Sequence, residues 1–536
     1  MKKQRTIVVL GGAQSGPTAA ARAREIDESA RIVLIESASE VSYAAAGLAH
    51  HLSGEVPSLA DLNRETATLF RDVYGIEVRT GVAVTRIDAK RRTVELGSEQ
   101  LAWDALVYAL GADSIVPEPL AGAPNVFRFR TLSDLSAISA RIEQGQRRVA
   151  ILGGGFFGVE AADGLLRRRL DVVLVEQAAR ILGGFAPFVS KRASEALAAL
   201  GARVVTGSKL ARAQRSGEEI SALVLESGER IPVDFVIAAA GIAPRTALLA
   251  QAGAKLLRDG SVAVDARMRT SLAGVYACGV CASVEHAVTG KRALVAQAAI
   301  ADKTAQIAGA NAAGAKQKME PALGTAVVRA GDVVCARTGL GHQSGAKGVL
   351  VTRVHAPSHD AWFPGSAPIS LELRHDAKTG RFLGADVCGK QGVDKRIDVL
   401  ATALAGGLTV KELADLDLAY APPFSAARDA VNVAATVACA RTPALPPAEL
   451  ASLASDDVLV DVRPAGAKPL RGALAIPLDV LRERFGELPE RGRLVFVDEL
   501  GRGAYLAARI AEQRGRAGAR WVSGGLCSVE LERGAE

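Results

Sequence analysis

The residues best placed to do chemistry are two glycine turns, each followed by an acid. Gly153, Gly155 and Gly158 fall as G-x-G-x-x-G after an apolar run, and Glu176 follows about twenty residues later. Gly11 and Gly16 bracket a related turn, with Glu36 beyond it. Such turns bring backbone N–H groups close to a pyrophosphate at a helix N-terminus, while the acid accepts ribose hydroxyls. Two in one chain point to a pair of dinucleotide sites. A carboxylate at 176 favours a free ribose hydroxyl over a phosphorylated one, and so NADH over NADPH. Cys278-Gly-Val-Cys281 has the spacing of a redox-active pair, although two small buried side chains give the same pattern. No second pair lies nearby, so no metal site is expected. His50 and His51 offer a general acid or, equally, a packed or solvated imidazole.

These turns need strands before them and helices after them. Thr6–Leu10 and Arg148–Leu152 read as buried parallel strands, with helices after each turn (from Thr18 to Ile26 in the first) and second strands at Arg31–Ile35 and Val172–Val175. Val- and Leu-rich strands around 324–352 and 367–387 precede helices at 392–405 and 425–438. Residues 441–450 are rich in Pro and Ala and read as a linker, after which Val458–Arg463 opens a small α/β unit. At 536 residues the chain is too long for one core. Hydrophobic residues make up 49% but aromatics only 4%, so the cores must be Ala, Val and Leu around many glycines. The net charge of +7 is spread along the chain, which excludes a nucleic-acid reading. No apolar stretch spans a bilayer, so no membrane partner is expected. Six scattered cysteines suit a reducing cytoplasm.

The order of these parts resembles the coenzyme A-disulfide reductase, NADH oxidase and persulfide reductase group of pyridine nucleotide-disulfide oxidoreductases, in the form fused to a rhodanese domain. The most specific stretches are Gly384-Ala-Asp-Val-Cys-Gly-Lys-Gln-Gly-Val-Asp-Lys-Arg-Ile-Asp398 and Asp417-Leu-Ala-Tyr-Ala-Pro-Pro-Phe-Ser425. The resemblance implies an α/β fold with two Rossmann-like nucleotide-binding domains, an α+β dimerisation domain and a C-terminal rhodanese-like domain. The FAD-type domain would be 1–115 with 245–321, the NAD(P) domain 116–244, the dimerisation domain 322–440 and the rhodanese-like domain 451–536. It implies FAD at Gly11, Gly16, Glu36, Gly111 and Gly279, and NADH at Gly153, Gly155, Gly158, Glu160 and Glu176. It implies a homodimer, with Tyr420 near the partner's active site; His50 and Tyr420 are the two catalytic candidates. Arg22, Ser42 and Arg71 fall where coenzyme A is held, and Trp362 with Tyr420 would wall a substrate pocket.

The departures from that pattern decide the expected chemistry. The group carries Ser-Phe-Ala-Asn-Cys-Gly-Leu-Pro-Tyr, and this chain has Ser42-Tyr-Ala-Ala-Ala-Gly-Leu-Ala-His50, with Ala46 in place of the cysteine. A methyl group forms neither a thiolate nor a mixed disulfide. The flavin site is also eroded: Gly279-Val280 replaces Gly-Asp, and Ser15 and Pro17 stand in the first turn. The tail resembles a rhodanese through Leu459-Val-Asp-Val-Arg463 and Ser523-Gly-Gly525, but Asp498 stands where its cysteine belongs.

The expectation is therefore an NADH-dependent FAD oxidoreductase that passes hydride through flavin to a non-disulfide acceptor. One alternative is a nucleotide- or coenzyme A-binding module, with a small-molecule or coenzyme A-linked ligand. A second is a thiol oxidoreductase using Cys278 and Cys281.

Overall fold

In the computed structural model the strand Thr6–Leu10 runs into a tight turn and then a helix, α1 (Ser15–Ile26). The structure describes residues 4–63, 65–342, 347–440, 447–448, 450, 453–468 and 470–528. Two units emerge, Met1–Gln177 with Leu197–Gly324, and Ala178–Ala196 with Thr325–Glu536.

The first unit holds two five-stranded parallel sheets that differ in where the outer edge strand comes from. One runs Val275–Ala277, Ala105–Tyr108, Thr6–Leu10, Arg31–Ile35, Glu77–Arg79. The other runs Val126–Arg128, Phe235–Ala238, Arg148–Leu152, Asp171–Val175, Arg203–Val205. Each central strand is apolar over its last four residues because both of its faces are covered there. The strand Val275–Ala277 returns to the first sheet after the whole of the second has been made. Helix α1 begins at Ser15, three residues before the point the sequence suggests; Pro17 falls in its first turn, where its missing N–H costs nothing. A short helix α2 (Leu48–Ser53) follows the segment that begins at Ser42, and α3 (Phe156–Arg167) follows the second turn. Helix α4 (Ala298–Ala312) lies so close on α1 that a Cβ at Gly309 would meet the Ala19 carbonyl oxygen at 2.1 Å.

In the second unit a five-stranded antiparallel sheet, Ala326–Ala330, Val333–Gly339, Phe382–Gly389, Pro368–Asp376, Val349–Pro357, packs against α5 (Val393–Ala405) and α6 (Ala430–Cys439). Helix α6 starts at Ala430, later than the sequence suggests, with Asp429 capping its first turn and paired to the buried Arg396. A row of charges crosses this sheet, with Arg337, Asp386, Glu372 and Arg353 as successive cross-strand neighbours. The C-terminal sheet is parallel, in the order Pro447–Ala448, Arg520–Val522, Arg493–Val497, Asp457–Asp461, Leu474–Ala475, with α7 (Arg502–Gln513) against it. That sheet begins at Pro447, inside the segment read as a linker. Proline supplies a strand at this edge because it need not donate an N–H there. Residues 441–446 of the expected linker lie outside the described residues.

Candidate functional site

Both glycine turns are forced by sterics. Gly11 and Gly153 have φ of +102° and +106°, and a Cβ on either would strike a neighbouring strand's carbonyl at 2.4 or 2.2 Å. A Cβ on Gly16 or Gly158 would fall within 2 Å of the Gly11 or Gly153 carbonyl oxygen. At Gly155 a Cβ would meet nothing within 4 Å, so the backbone is open to a ligand there. The acids behave alike: the Gly12 N–H donates to Glu36 Oε2 at 2.5 Å, and the Gly154 N–H donates to Glu176 Oε2 at 2.6 Å. The second turn fits a dinucleotide.

The first turn fits one in part. Arg130, which the sequence reading missed, is mostly buried beside Tyr43 and Arg245, and its Nη1 has no partner among the described residues. Burial, then the charge of Arg245, pushes its pKa down, a cost that a bound phosphate would offset. No motif marks Arg130; the fold alone brings it beside Tyr43, whose N–H bonds the turn at Ala13. Burial and then the Glu36 carboxylate push the Tyr43 hydroxyl up to about 12. Gly111 has a positive φ of +68°. The remainder of the expected flavin path is packed on itself. The Gly279 N–H donates to Thr304 Oγ1 at 3.0 Å, and a Cβ at Gly279 would lie 2.5 Å from Ser15 Oγ.

The segment Ser42–His50 is clamped to the first turn. Ser42 takes a left-handed φ of 56°, its N–H bonding the Gly12 carbonyl at 2.8 Å. Ala46 follows in a single 3₁₀ turn, Ala45–Gly47, and is exposed. Helix α2 then packs on α3, where a Cβ at Gly164 would be 2.9 Å from the Ala49 carbonyl oxygen. His50 Nδ1 lies 2.7 Å from Glu55 Oε2. On α3, burial raises the Glu160 carboxyl to about 7, with His50 opposing the rise.

Cys278 and Cys281 are fully buried and unbonded to each other. Burial pushes both thiols up, Cys281 to about 11, and the Cys281 thiol donates to the Cys278 carbonyl at 3.2 Å. They pack as small apolar residues do, not as an activated pair.

Of the residues expected at a coenzyme A site, Arg22 and Ser42 line one cleft of about 410 Å³, with Thr18, Glu25, Tyr43 and Glu65. Arg22 is committed to Glu25 at 2.5 Å. Arg71 is not brought there; it is exposed and paired with its neighbour Asp72 at 2.9 Å. In the second unit, Trp362 and Tyr420 are exposed, and the Tyr420 hydroxyl donates to Asp360 Oδ2 at 2.6 Å. At the tail loop, Asp498 accepts the N–H groups of Gly501 and Gly503 at 2.6 and 2.7 Å, filling the loop with its own carboxylate. Among the described residues, no helix is long and apolar enough to cross a membrane.

Residues 5–302 match the model of the pyridine nucleotide-disulphide oxidoreductases, and residues 332–431 match that family's dimerisation domain. An NADH oxidase from Methanocaldococcus jannaschii is 30% identical, covering 80% of this chain and 97% of its own length. An NAD(P)H coenzyme A polysulfide/persulfide reductase from Pyrococcus horikoshii is 31% identical, covering 82% of this chain and 98% of its own. Among solved structures, reduced Bacillus anthracis CoADR-RHD superposes with a TM-score of 0.94 at 29% identity, covering 99% of this chain and 98% of its own. The family's members are oxidoreductases that bind FAD and NAD(P)H. The chain belongs to the pyridine nucleotide-disulphide oxidoreductase family.

Proposed function

We propose that this protein is an NADH-dependent flavin oxidoreductase that works without a redox-active cysteine, passing electrons to an acceptor other than a disulfide. The observation that carries the reading is Ala46. It is exposed on a segment held against the first glycine turn by the Ser42–Gly12 bond, at the place where the resemblance puts the reactive thiol. The deeply buried Cys278 and Cys281 offer no replacement.

Gly11, Gly16, Glu36 and Arg130 would hold FAD, and Gly153, Gly155, Gly158 and Glu176 would hold NADH, with Glu160 facing the reacting end. The bound flavin supplies two-electron chemistry; the chain supplies position and protons. We read residues 1–115 with 245–321 as the FAD-type domain, 116–244 as the NADH domain and 322–440 as the dimerisation domain of a cytoplasmic homodimer. The tail from Pro447 onward is read as a rhodanese-like module without sulfurtransferase activity, since Asp498 occupies the position of the sulfur carrier.

A second reading, a nucleotide-binding module without redox turnover, is favoured by the closed packing of Ser15, Gly279 and Thr304. Flavin absorbance in the purified protein, bleached by NADH without oxygen, supports the enzyme. Its absence supports the module. Turnover of coenzyme A disulfide would contradict both.

A further inference from the structure

Helices α2 and α3 bring together two titratable side chains from the two glycine-turn units. His50 lies four residues beyond Ala46, on α2. Glu160 sits near the start of α3, five positions after Gly155. The close approach of Gly164 to Ala49 and Leu52 locks the helices together. His50 is oriented through Nδ1 by Glu55 at 2.7 Å, and its ring stays half exposed. The other charges nearby are already engaged: Asp163 pairs with Arg167 at 2.8 Å, and His51 Nδ1 meets the Val56 carbonyl at 2.8 Å.

We propose that His50 and Glu160 form a proton-holding couple that supplies the reaction's proton where the thiol is missing. The proposal rests on the cysteine-free hydride-transfer reading. A neutral acceptor that takes a hydride becomes the neutral reduced product only by taking one proton as well. Glu160 gives that proton from its carboxyl and becomes a carboxylate. His50, as imidazolium, returns a proton to Glu160, and water recharges His50. One proton is consumed per hydride, and no covalent bond to the chain is made or broken. Burial keeps Glu160 protonated up to about neutral pH, so the carboxyl is a donor under ordinary conditions.

The test is carboxyl-carbon NMR of the full-length protein labelled at glutamate, with the Glu160 signal identified by its loss in Glu160→Gln. In His50→Gln the Glu160 pKa should rise further, by about 0.3 of a pH unit or more, because the positive charge that opposes the rise has gone. His50→Lys, which keeps a positive charge there, should not raise it. A Glu160 titration unmoved in His50→Gln overturns the couple. This readout needs no flavin, so a protein lacking flavin would defeat the oxidoreductase reading without deciding the coupling. In the loaded enzyme, kcat for NADH oxidation should lose its inflection near neutral pH in Glu160→Gln. A retained inflection overturns the role in proton supply even if the NMR coupling holds.

Discussion

The Gly154 amide donates to the Glu176 carboxylate at 2.6 Å, an arrangement repeated at 2.5 Å by Gly12 and Glu36 in the other sheet. Each acid is thus fixed before any nucleotide arrives. Replacing Glu176 with Ala should weaken NADH binding by about 1.5–3 kcal/mol, the worth of a charge-assisted hydrogen bond. It should also narrow the preference for NADH over NADPH. Calorimetric titration with each nucleotide checks this, and an unchanged NADH affinity would show that the acid does not touch the ribose.

Flavin affinity should respond to the packed half of the first site. Val280→Asp offers an acceptor to ribityl hydroxyls, and Ser15→Gly removes the hydroxyl that stands over Gly279. Each should tighten FAD, together by about tenfold or more, since one charged bond is worth about 1.5–3 kcal/mol. Fluorescence titration of the apoprotein measures it. No gain in either variant would mean that flavin does not pass Gly279.

The glycine turns are legible in the sequence because no other residue fits them; a side chain at Gly16 would collide with Gly11 itself. The acids are legible because they end the second strand of each repeated unit. The His50–Glu160 couple is not, because it is made by packing two helices more than a hundred residues apart in the chain, one after each glycine turn. Arg130 was missed for the same reason: nothing in Arg128-Phe-Arg130 marks which arginine turns inward. Arg71 was misplaced because its neighbour Asp72 pairs with it on an exposed helix. The linker was drawn too long because Pro and Ala composition does not reveal that Pro447–Ala448 pairs with Trp521–Val522.

The charged row in the second unit should govern acid stability. Glu372 is fully buried among His342, Arg353 and Arg374, at 3.0, 2.7 and 2.7 Å. Burial alone would raise its pKa, but these partners outweigh burial and bring it down to about 2. Its stabilisation is therefore complete above the unfolded-state value and is lost as pH falls toward 2. Glu372→Gln should cost about 3–5 kcal/mol near neutral pH, because it strands buried arginines. Urea unfolding at pH 7 and pH 4 checks it, with a smaller difference expected at pH 4.

Asp498→Ala should destabilise the tail by about 1–3 kcal/mol, since the amides of Gly501 and Gly503 lose their acceptor. The intact protein should show no thiosulfate:cyanide sulfurtransferase activity. Measurable turnover would show that another group, such as the partly exposed Cys527, carries sulfur.

Glu160 has a consequence for stability that is separate from turnover. Its pKa is raised by burial, so the folded state holds a proton that the unfolded state releases, and stability falls as pH rises from about 4.5 to 7. Glu160→Gln should therefore be the more stable protein at pH 8, by up to about 3 kcal/mol, and nearly equal to the parent at pH 4. Thermal unfolding at both pH values decides it.

The measurement closest to the central claim is an anaerobic titration of the purified protein with NADH, followed through the visible spectrum. With Ala46 in place of a thiol, the flavin should take up two electrons, with no long-wavelength thiolate-to-flavin absorbance at any point. Uptake of four electrons per flavin, with thiols appearing in step and lost in Cys278→Ser, would contradict it.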